Sequence, residues 1–251
     1  MTPLKVALVT GSGKKRVGNA VARELARAGY AVAVHYHTSV ADAAETVTEL
    51  TVLGVRAAAF RANVADEAEV AQMIDAVNAE FGRLDVLVNS AAIWNRKLLE
   101  AVTAADVRDH FDANTLGTFL CAKAAGLRMV LQPEGGCIIN IGDWAEVRPY
   151  LHYAAYFPSK GGVSAMTRSL AVELGTRNPN VRVNAVLPGP VMLPPNMSAA
   201  EREQTINATL VKRLGTPEHV AKAVLSLIDN DFITGVCLPV DGGRTIYAPE
   251  G

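Results

Sequence analysis

Cysteine is scarce: the 251 residues hold three, Cys121, Cys137 and Cys237, too scattered to form a Cys-x-x-Cys pair. An odd, dispersed set argues against a disulfide framework or a zinc site and for a reducing compartment. Each cysteine then reads as a small apolar residue. Long hydrophobic runs are also missing. The first residues carry only a short apolar run after Lys5, less than a secretory leader needs, and no stretch reaches bilayer-crossing length. Charge of one sign is absent as a bias, with 24 Lys and Arg against 25 Asp and Glu. That balance gives neither nucleic acid nor an anionic membrane a general electrostatic hold. Repeats of solenoid period and low-complexity tracts are lacking too. These absences leave a cytoplasmic protein with a small-molecule partner and no metal as the expectation.

What is present is a rhythm. Short apolar runs, at Val6–Val9, Ala31–Tyr36, Arg56–Ala62, Val86–Val88, Cys137–Ile141, Val181–Leu187 and Gly235–Val240, are separated by helix-length stretches. Asn19–Ala28, Ala41–Leu53, Glu67–Phe81 and Gly162–Leu174 are examples of the latter. Continuous rather than alternating apolar runs suit strands covered on both faces. Strand and helix in alternation predict right-handed crossovers and one α/β domain over 1–251, a doubly wound parallel sheet of seven strands with helices on both faces. Leu187-Pro-Gly-Pro-Val-Met-Leu-Pro-Pro-Asn196 stands apart, since four prolines in ten residues forbid helix or central strand. A polar helical stretch follows from Ala199 to about Lys212. Ligands in open α/β sheets bind beyond the carboxyl ends of strands, so segment 188–213 reads either as a substrate lid or as a rigid surface connection.

The first strand runs into Thr10-Gly-Ser-Gly-Lys-Lys-Arg-Val-Gly18 and then a helix. Glycines allow a tight turn near a pyrophosphate, and a helix start offers free amides. The G-x-G-x-x-G spacing is met by Gly11 and Gly13, but Arg16 holds the third place. Gly11, Ser12, Gly13, Arg16, Val17 and Gly18 are the candidate phosphate contacts. The second strand ends in His35-Tyr-His-Thr-Ser39, without the carboxylate that would bond the ribose hydroxyls of NAD. His37, Thr38 and Ser39, with Lys14, Lys15 and Arg16, instead suit a 2′-phosphate, so NADP(H) is the expected cofactor. Further on, Tyr156-Phe-Pro-Ser-Lys160 sets a phenol and an ammonium on one helical face. The ammonium is expected to lower the tyrosine pKa so that Tyr156 exchanges a proton near neutral pH. Pro158 is tolerated if it lies in the first turn.

Together these motifs resemble the short-chain dehydrogenase/reductase family over nearly the whole chain. They are Thr10-Gly11 with Gly18, Asn89-Ser-Ala-Ala, Asn114, Tyr156 with Lys160, Pro188-Gly189, and Thr234-Gly235 followed by Asp241-Gly-Gly243. The resemblance implies that Tyr156 is the acid/base, that Lys160 tunes it and holds the nicotinamide ribose, and that Asn114 anchors a helix bulge and a water leading to the lysine. It implies a homotetramer, with 103–130 and 162–174 as contacts. It places Asn63, Val64, Asn89, Ser90, Ala91, Pro188, Gly189 and Val191 along the cofactor. At Asn63 the family often has an acid, and an amide oxygen can still accept from the adenine amino group.

Two departures narrow the expectation. Asp143 stands thirteen positions before the tyrosine, where the family usually has serine, and Arg16 replaces the middle glycine. Both resemble the pteridine reductase and dihydromonapterin reductase branch, as do His35-Tyr-His37, Trp94 and the ending Leu238-Pro-Val-Asp-Gly-Gly-Arg244. That resemblance implies a pterin stacked near Trp94 and lined by Tyr153, with Arg16, Asp143 and Tyr156 contacting it. A carboxylate beside Tyr156 would accept from pterin N–H groups, whereas it would repel a developing alkoxide unless protonated. A carbonyl reductase or alcohol dehydrogenase of the ketoacyl-reductase kind is the alternative, and a non-catalytic NADP(H)-binding sensor a second one.

Overall fold

The structure, a computed structural model, describes residues 4–194 and 196–248. The outermost positions of the expected domain, 1–3 and 249–251, and position 195 within 188–213 lie outside the described residues.

Seven parallel strands form one sheet: β1 (Val6–Val9), β2 (Ala31–Tyr36), β3 (Ala57–Arg61), β4 (Val86–Asn89), β5 (Gly136–Ile141), β6 (Val181–Pro188) and β7 (Cys237–Val240). Their order is β3-β2-β1-β4-β5-β6-β7. The side-chain period of two sorts each strand between two cores. Val6 and Leu8 enter one apolar cluster with Met73, Val77, Leu120 and Leu170; Ala7 and Val9 enter the other with Val21, Leu25, Leu50 and Val224. The first face is therefore covered by α3 (Glu67–Phe81), α5 (Gly117–Val130) and α6 (Tyr156–Gly175). The second is covered by α1 (Val17–Arg27), α2 (Val40–Val52) and α8 (Pro217–Asp229). Both faces being buried is why the strands read as unbroken apolar runs.

Local chemistry sets the helix ends. Asp66 accepts from the Ala68 and Glu69 amides at the start of α3, and Gly82, at φ 82°, ends it. Segment 103–130 is helical with the bulge expected at Asn114: α4 (Ala104–His110), a π-helical turn over Phe111–Leu116, and α5. The bulge centres on Asn114, whose Oδ1 accepts from Ile93 N at 2.8 Å and whose Nδ2 donates to Ile93 O at 3.0 Å. A side chain gripping a neighbouring loop from inside the helix displaces the ladder by one residue. After β6, α7 covers Ala199–Asn207, with Ser198 and Glu201 forming its capping box. It stops short of Lys212 because the chain turns onto the C-terminal loop: Leu210 N donates to Gly242 O at 2.9 Å, and Lys212 takes a positive φ of 50°.

Strand order reverses between β1 and β4, which opens a crevice beyond their carboxyl ends. Thr10 fixes its width. The buried Thr10 Oγ1 accepts from Ser90 N at 2.9 Å and Ala91 N at 3.0 Å, tying the loop after β1 to the loop after β4. Thr10→Val keeps the shape and leaves two amides without an acceptor. Urea unfolding should show it destabilised by about 1–3 kcal/mol; a midpoint equal to the wild type would contradict the role given to this hydroxyl.

Candidate active site

The loop from Thr10 to Gly18 is built by internal bonds before any ligand is considered. His35, buried in β2, accepts the Gly11 amide on Nδ1 at 2.9 Å, and its Nε2 lies 3.0 Å from Ala62 O. These partners specify one neutral tautomer, and burial pushes the imidazole down to about 4. Gly11 sits at φ +67°, where a Cβ would stand 2.8 Å from Ala91 Cα. At Gly18 a Cβ would stand 3.0 Å from both Gly11 O and Ser90 Oγ. Ser12 is buried with its hydroxyl on Val9 O at 2.7 Å. Thr46 donates to Gly13 O and receives Asn19 Nδ2, both at 2.9 Å. The glycines thus let backbones approach, and Ser12 holds the turn from inside.

A dinucleotide fits this cradle. Helix α1 begins at Val17 without a side-chain cap and without an acid in its first turn, so its leading amides suit a phosphate. Buried Asn89 donates to Asn140 Oδ1 at 2.9 Å while its own Oδ1 has no partner. Val64 packs on Gly117, where a Cβ would meet Val64 Cγ2 at 2.7 Å. Asn63 Oδ1 accepts from Ala65 N at 3.1 Å, which leaves its amide hydrogens for a ligand. His37 and Thr38 are exposed and Ser39 half-buried at the end of β2, with Lys14 and Arg16 exposed on the facing loop. Lys15 is drawn away by Glu45 at 2.7 Å and Glu49 at 3.2 Å. Pro188 closes β6, Gly189 N donates to Val240 O at 3.0 Å, and Val191 packs on Gly215.

Beyond β5 the chain reaches Asp143, a 3-10 turn at Trp144–Glu146, and then α6. Asp143 Oδ1 caps that turn by accepting Ala145 N at 2.8 Å, while Oδ2 accepts the Tyr156 hydroxyl at 2.8 Å. Capping and contact with the phenol are thus one residue's two oxygens. Tyr156 opens α6 and Pro158 falls in the first turn, as the sequence required. Lys160, one turn on and 4 % exposed, donates to Ile141 O at 2.8 Å. Asn114 joins through Ser159, donating to its Oγ at 3.0 Å. Structure therefore brings Asn114, Asp143, Tyr156 and Lys160 together.

The electrostatics differ from the sequence expectation at one point. Tyr156 is not lowered toward neutrality: burial and then the Asp143 carboxylate hold it well above its usual range. Its hydroxyl faces Asp143, while the ammonium of Lys160 is engaged by a backbone carbonyl. Burial also raises Asp143, against the Ala145 amide, the Tyr156 hydroxyl and Lys160. Lys160 is pushed down to about 8 by burial, opposed by Asp143 and Glu146. The three groups form a coupled set in which a proton on Asp143 removes one of the causes that hold Tyr156 up and leaves burial as the other.

An aromatic wall borders this set. Trp94 stacks on Tyr153 with centroids 5.1 Å apart, and Tyr153 meets Tyr156 edge-on at 6.3 Å. Trp94 Nε1 is buried without a partner. His110 lies edge-on to Tyr156 at 6.2 Å. From the C-terminal segment, Arg244 stands 4.9 Å over the Trp144 ring and donates to Thr205 O in α7 at 3.0 Å. His35, Thr10, His110 and Arg244 escaped the sequence reading as working parts. Each acts through a partner tens of residues away, and a one-dimensional spacing carries no such signal. Among the described residues no cluster of three metal-ligating side chains occurs, and no helix is long and apolar enough to cross a membrane. Cys121 and Cys137 are buried free thiols, pushed up to about 12 and about 11 by burial.

Residues 12–245 match the family model described as enoyl-(acyl carrier protein) reductase. Among curated proteins, the 3-oxoacyl-[acyl-carrier-protein] reductase FabG of Staphylococcus aureus is 36% identical over 247 residues, covering 97% of this chain and 99% of that protein. Glucose 1-dehydrogenase 2 of Bacillus subtilis is 32% identical over 252 residues, covering 98% and 96%. Among solved structures, acetoin dehydrogenase from Enterobacter cloacae superimposes with a TM-score of 0.89 at 34% identity, covering 100% of this chain and 99% of that one.

The seating of Gly11 by a neutral His35 has a pH signature. Between about 4 and the ordinary 6.5 the unfolded chain takes up a proton that the folded chain refuses. Stability is then complete above that window and falls with pH through it, by on the order of 3 kcal/mol at ~1.4 kcal/mol per unit. Urea unfolding from pH 7 to 4.5 should show that slope in the wild type and a flatter one in His35→Gln; equal slopes would contradict the assignment.

Proposed function

The chain belongs to the short-chain dehydrogenase/reductase family, and from that premise we propose that it reduces a carbonyl group to an alcohol with NADP(H). The Tyr156–Asp143 hydrogen bond beside buried Lys160 carries the reading. When bound, the reduced nicotinamide supplies a hydride to the carbonyl carbon. The chain's own residues then deal with the oxygen. Asp143 Oδ1 is committed to the Ala145 amide, so a proton on this carboxyl sits on Oδ2, the oxygen facing Tyr156. In that form Asp143 donates like the hydroxyl the family usually has there, and no anion repels the developing alkoxide. Tyr156 hands its proton to the alkoxide while Lys160 stabilises the phenolate left behind. Asn114 keeps the bulged helix against the loop after β4, and so keeps the crevice in shape.

The dinucleotide takes its pyrophosphate at Gly11, Gly13, Arg16, Val17 and Gly18. Its adenosine lies near Asn63 and Val64, and its nicotinamide end near Asn89, Ser90, Ala91, Pro188, Gly189 and Val191. The missing acid after β2, with His37, Thr38 and Ser39 facing Lys14 and Arg16, supports the phosphorylated cofactor. Segment 188–213 is read as the substrate lid, steadied by the Arg244 and Leu210 contacts to the C-terminal loop. Phe111, Leu116, Phe119 and Leu127 leave an apolar strip on the bulge and α5. That strip supports self-association, read as a homotetramer, and a cytoplasmic setting goes with the same reading.

Asp143 and the Trp94–Tyr153 stack also favour a second reading, in which an ionised Asp143 accepts from a pterin and the aromatic pair stacks on it. The named relatives are an oxoacyl reductase, a glucose dehydrogenase and an acetoin dehydrogenase, which supports the carbonyl reading over it. Assembly of Asn114, Tyr156 and Lys160 argues against a non-catalytic sensor.

Purified protein should oxidise NADPH with a hydroxyketone or 3-oxoacyl thioester, and Tyr156→Phe should lose roughly 10²–10⁴-fold in kcat/KM. Asp143→Ser should retain that turnover. Turnover of a dihydropterin alone, abolished in Asp143→Ser, would replace this reading with the second.

A further inference from the structure

The 3-10 turn after β5 carries two carboxyl groups, Asp143 and Glu146, three residues apart. Helix α6 faces it with Tyr156, Lys160 and Ser164, spaced by four residues and hence on one side. Two rungs join them. Asp143 accepts from Tyr156 at 2.8 Å, and both oxygens of Glu146 lie 2.7 Å from Ser164 Oγ. Lys160 lies between the rungs in sequence, buried, with its hydrogen bond on the Ile141 carbonyl.

Four ionisable side chains, Asp143, Glu146, Tyr156 and Lys160, on two adjoining segments pose a charge problem. A buried ammonium needs an anion nearby. The reaction proposed above needs Asp143 to hold a proton, and a protonated Asp143 gives Lys160 no counter-charge. Glu146 fits that need. Burial and the Asp143 charge raise it, but it is less deeply buried than Asp143, the Ser164 hydroxyl stabilises its ionised form, and Arg168, one further turn along α6, adds positive charge. A charge on one carboxyl makes the other harder to ionise, as the Asp143 charge does to Glu146, so the site favours one anion at a time.

We propose that Glu146, oriented by Ser164, is the standing anion of this site: a positioning residue that keeps Lys160 charged and leaves Asp143 free to work in its protonated form. This rests on the carbonyl-reduction reading. It assigns two residues of one turn to separate tasks, one supplying charge and the other a proton. Tyr150, raised by burial and the Asp143 charge, and Tyr153 border the set on its aromatic side. Arg168 also reaches Cys237 Sγ on β7 at 3.6 Å, His110 meets the edge of Tyr156, and Arg244 covers Trp144. None of these supplies a second anion.

Glu146→Gln keeps an acceptor for Ser164 but deletes the charge. Lys160 then loses its proton more readily, and so does Asp143, because its repelling neighbour is gone. Both changes move the alkaline limb of kcat/KM for ketone reduction to lower pH, by roughly one unit, the order by which a neighbouring charge moves a buried group. Ser164→Ala, which keeps the charge but not its tether, should move the limb less. Glu146→Asp should partly restore it. A Glu146→Gln limb that stays in place overturns the proposal while leaving the carbonyl reading intact. Wild-type protein that turns over no carbonyl overturns that reading instead. The proposal is then still tested by the ¹³C carboxyl shifts of wild-type full-length protein against pH. Glu146 titrating below Asp143 supports it, and the reverse order sinks it.

Discussion

Everything at the carboxyl end of β5 turns on one partly buried hydrogen bond, between the Tyr156 hydroxyl and Asp143 Oδ2. Burial penalises charge on every group involved: it raises Asp143 and Tyr156 and lowers Lys160. A site with one cation and closely set acids is most economical when it holds a single negative charge. Which acid bears that charge decides whether the phenol sees a carboxylate, which suppresses its ionisation, or a neutral donor, which assists it. The chemistry is therefore a question of proton location, and the scaffold answers it by how deeply each carboxyl is buried and what it is bonded to.

The scaffold's part is to hold the two ends of the crevice in register. Thr10 bridges the loops after β1 and β4, and His35 seats the first turn from the neighbouring strand. Asn114 grips the chain at Ile93 through a π-helical turn. These hydrogen bonds are partly buried, each with its partner fixed by packing, and losing one would leave an amide or carbonyl unpaired away from bulk water. On the open side, Arg244 links Trp144 to α7, so segment 188–213 and the turn after β5 share a support.

Much of this was legible from residue order. Strand runs such as Ala31–Tyr36 and the helix Glu67–Phe81 match the structure because both-face burial and capping by Asp66 are local, periodic signals. The grouping of Tyr156, Lys160 and Asn114 followed from motifs that one family carries in a set order. What escaped was the environment. Spacing suggested that Lys160 would lower Tyr156. The structure turns the ammonium to Ile141 O and the phenol to a buried carboxyl, and the shift is upward. The helix bulge expected at Asn114 is there, but the contact with residue 93 that forms it was not legible from spacing. Lys15 read as a phosphate ligand until Glu45 and Glu49 of α2 came beside it. In each case a partner distant in sequence decided the outcome.

The account stands or falls on the protonation of Asp143 at neutral pH. An infrared difference spectrum between the wild type and Asp143→Asn reads it directly, before any substrate is added. The account predicts a protonated-carboxyl C=O band in the wild type that the variant lacks. A spectrum in which the substitution removes only carboxylate bands would contradict it.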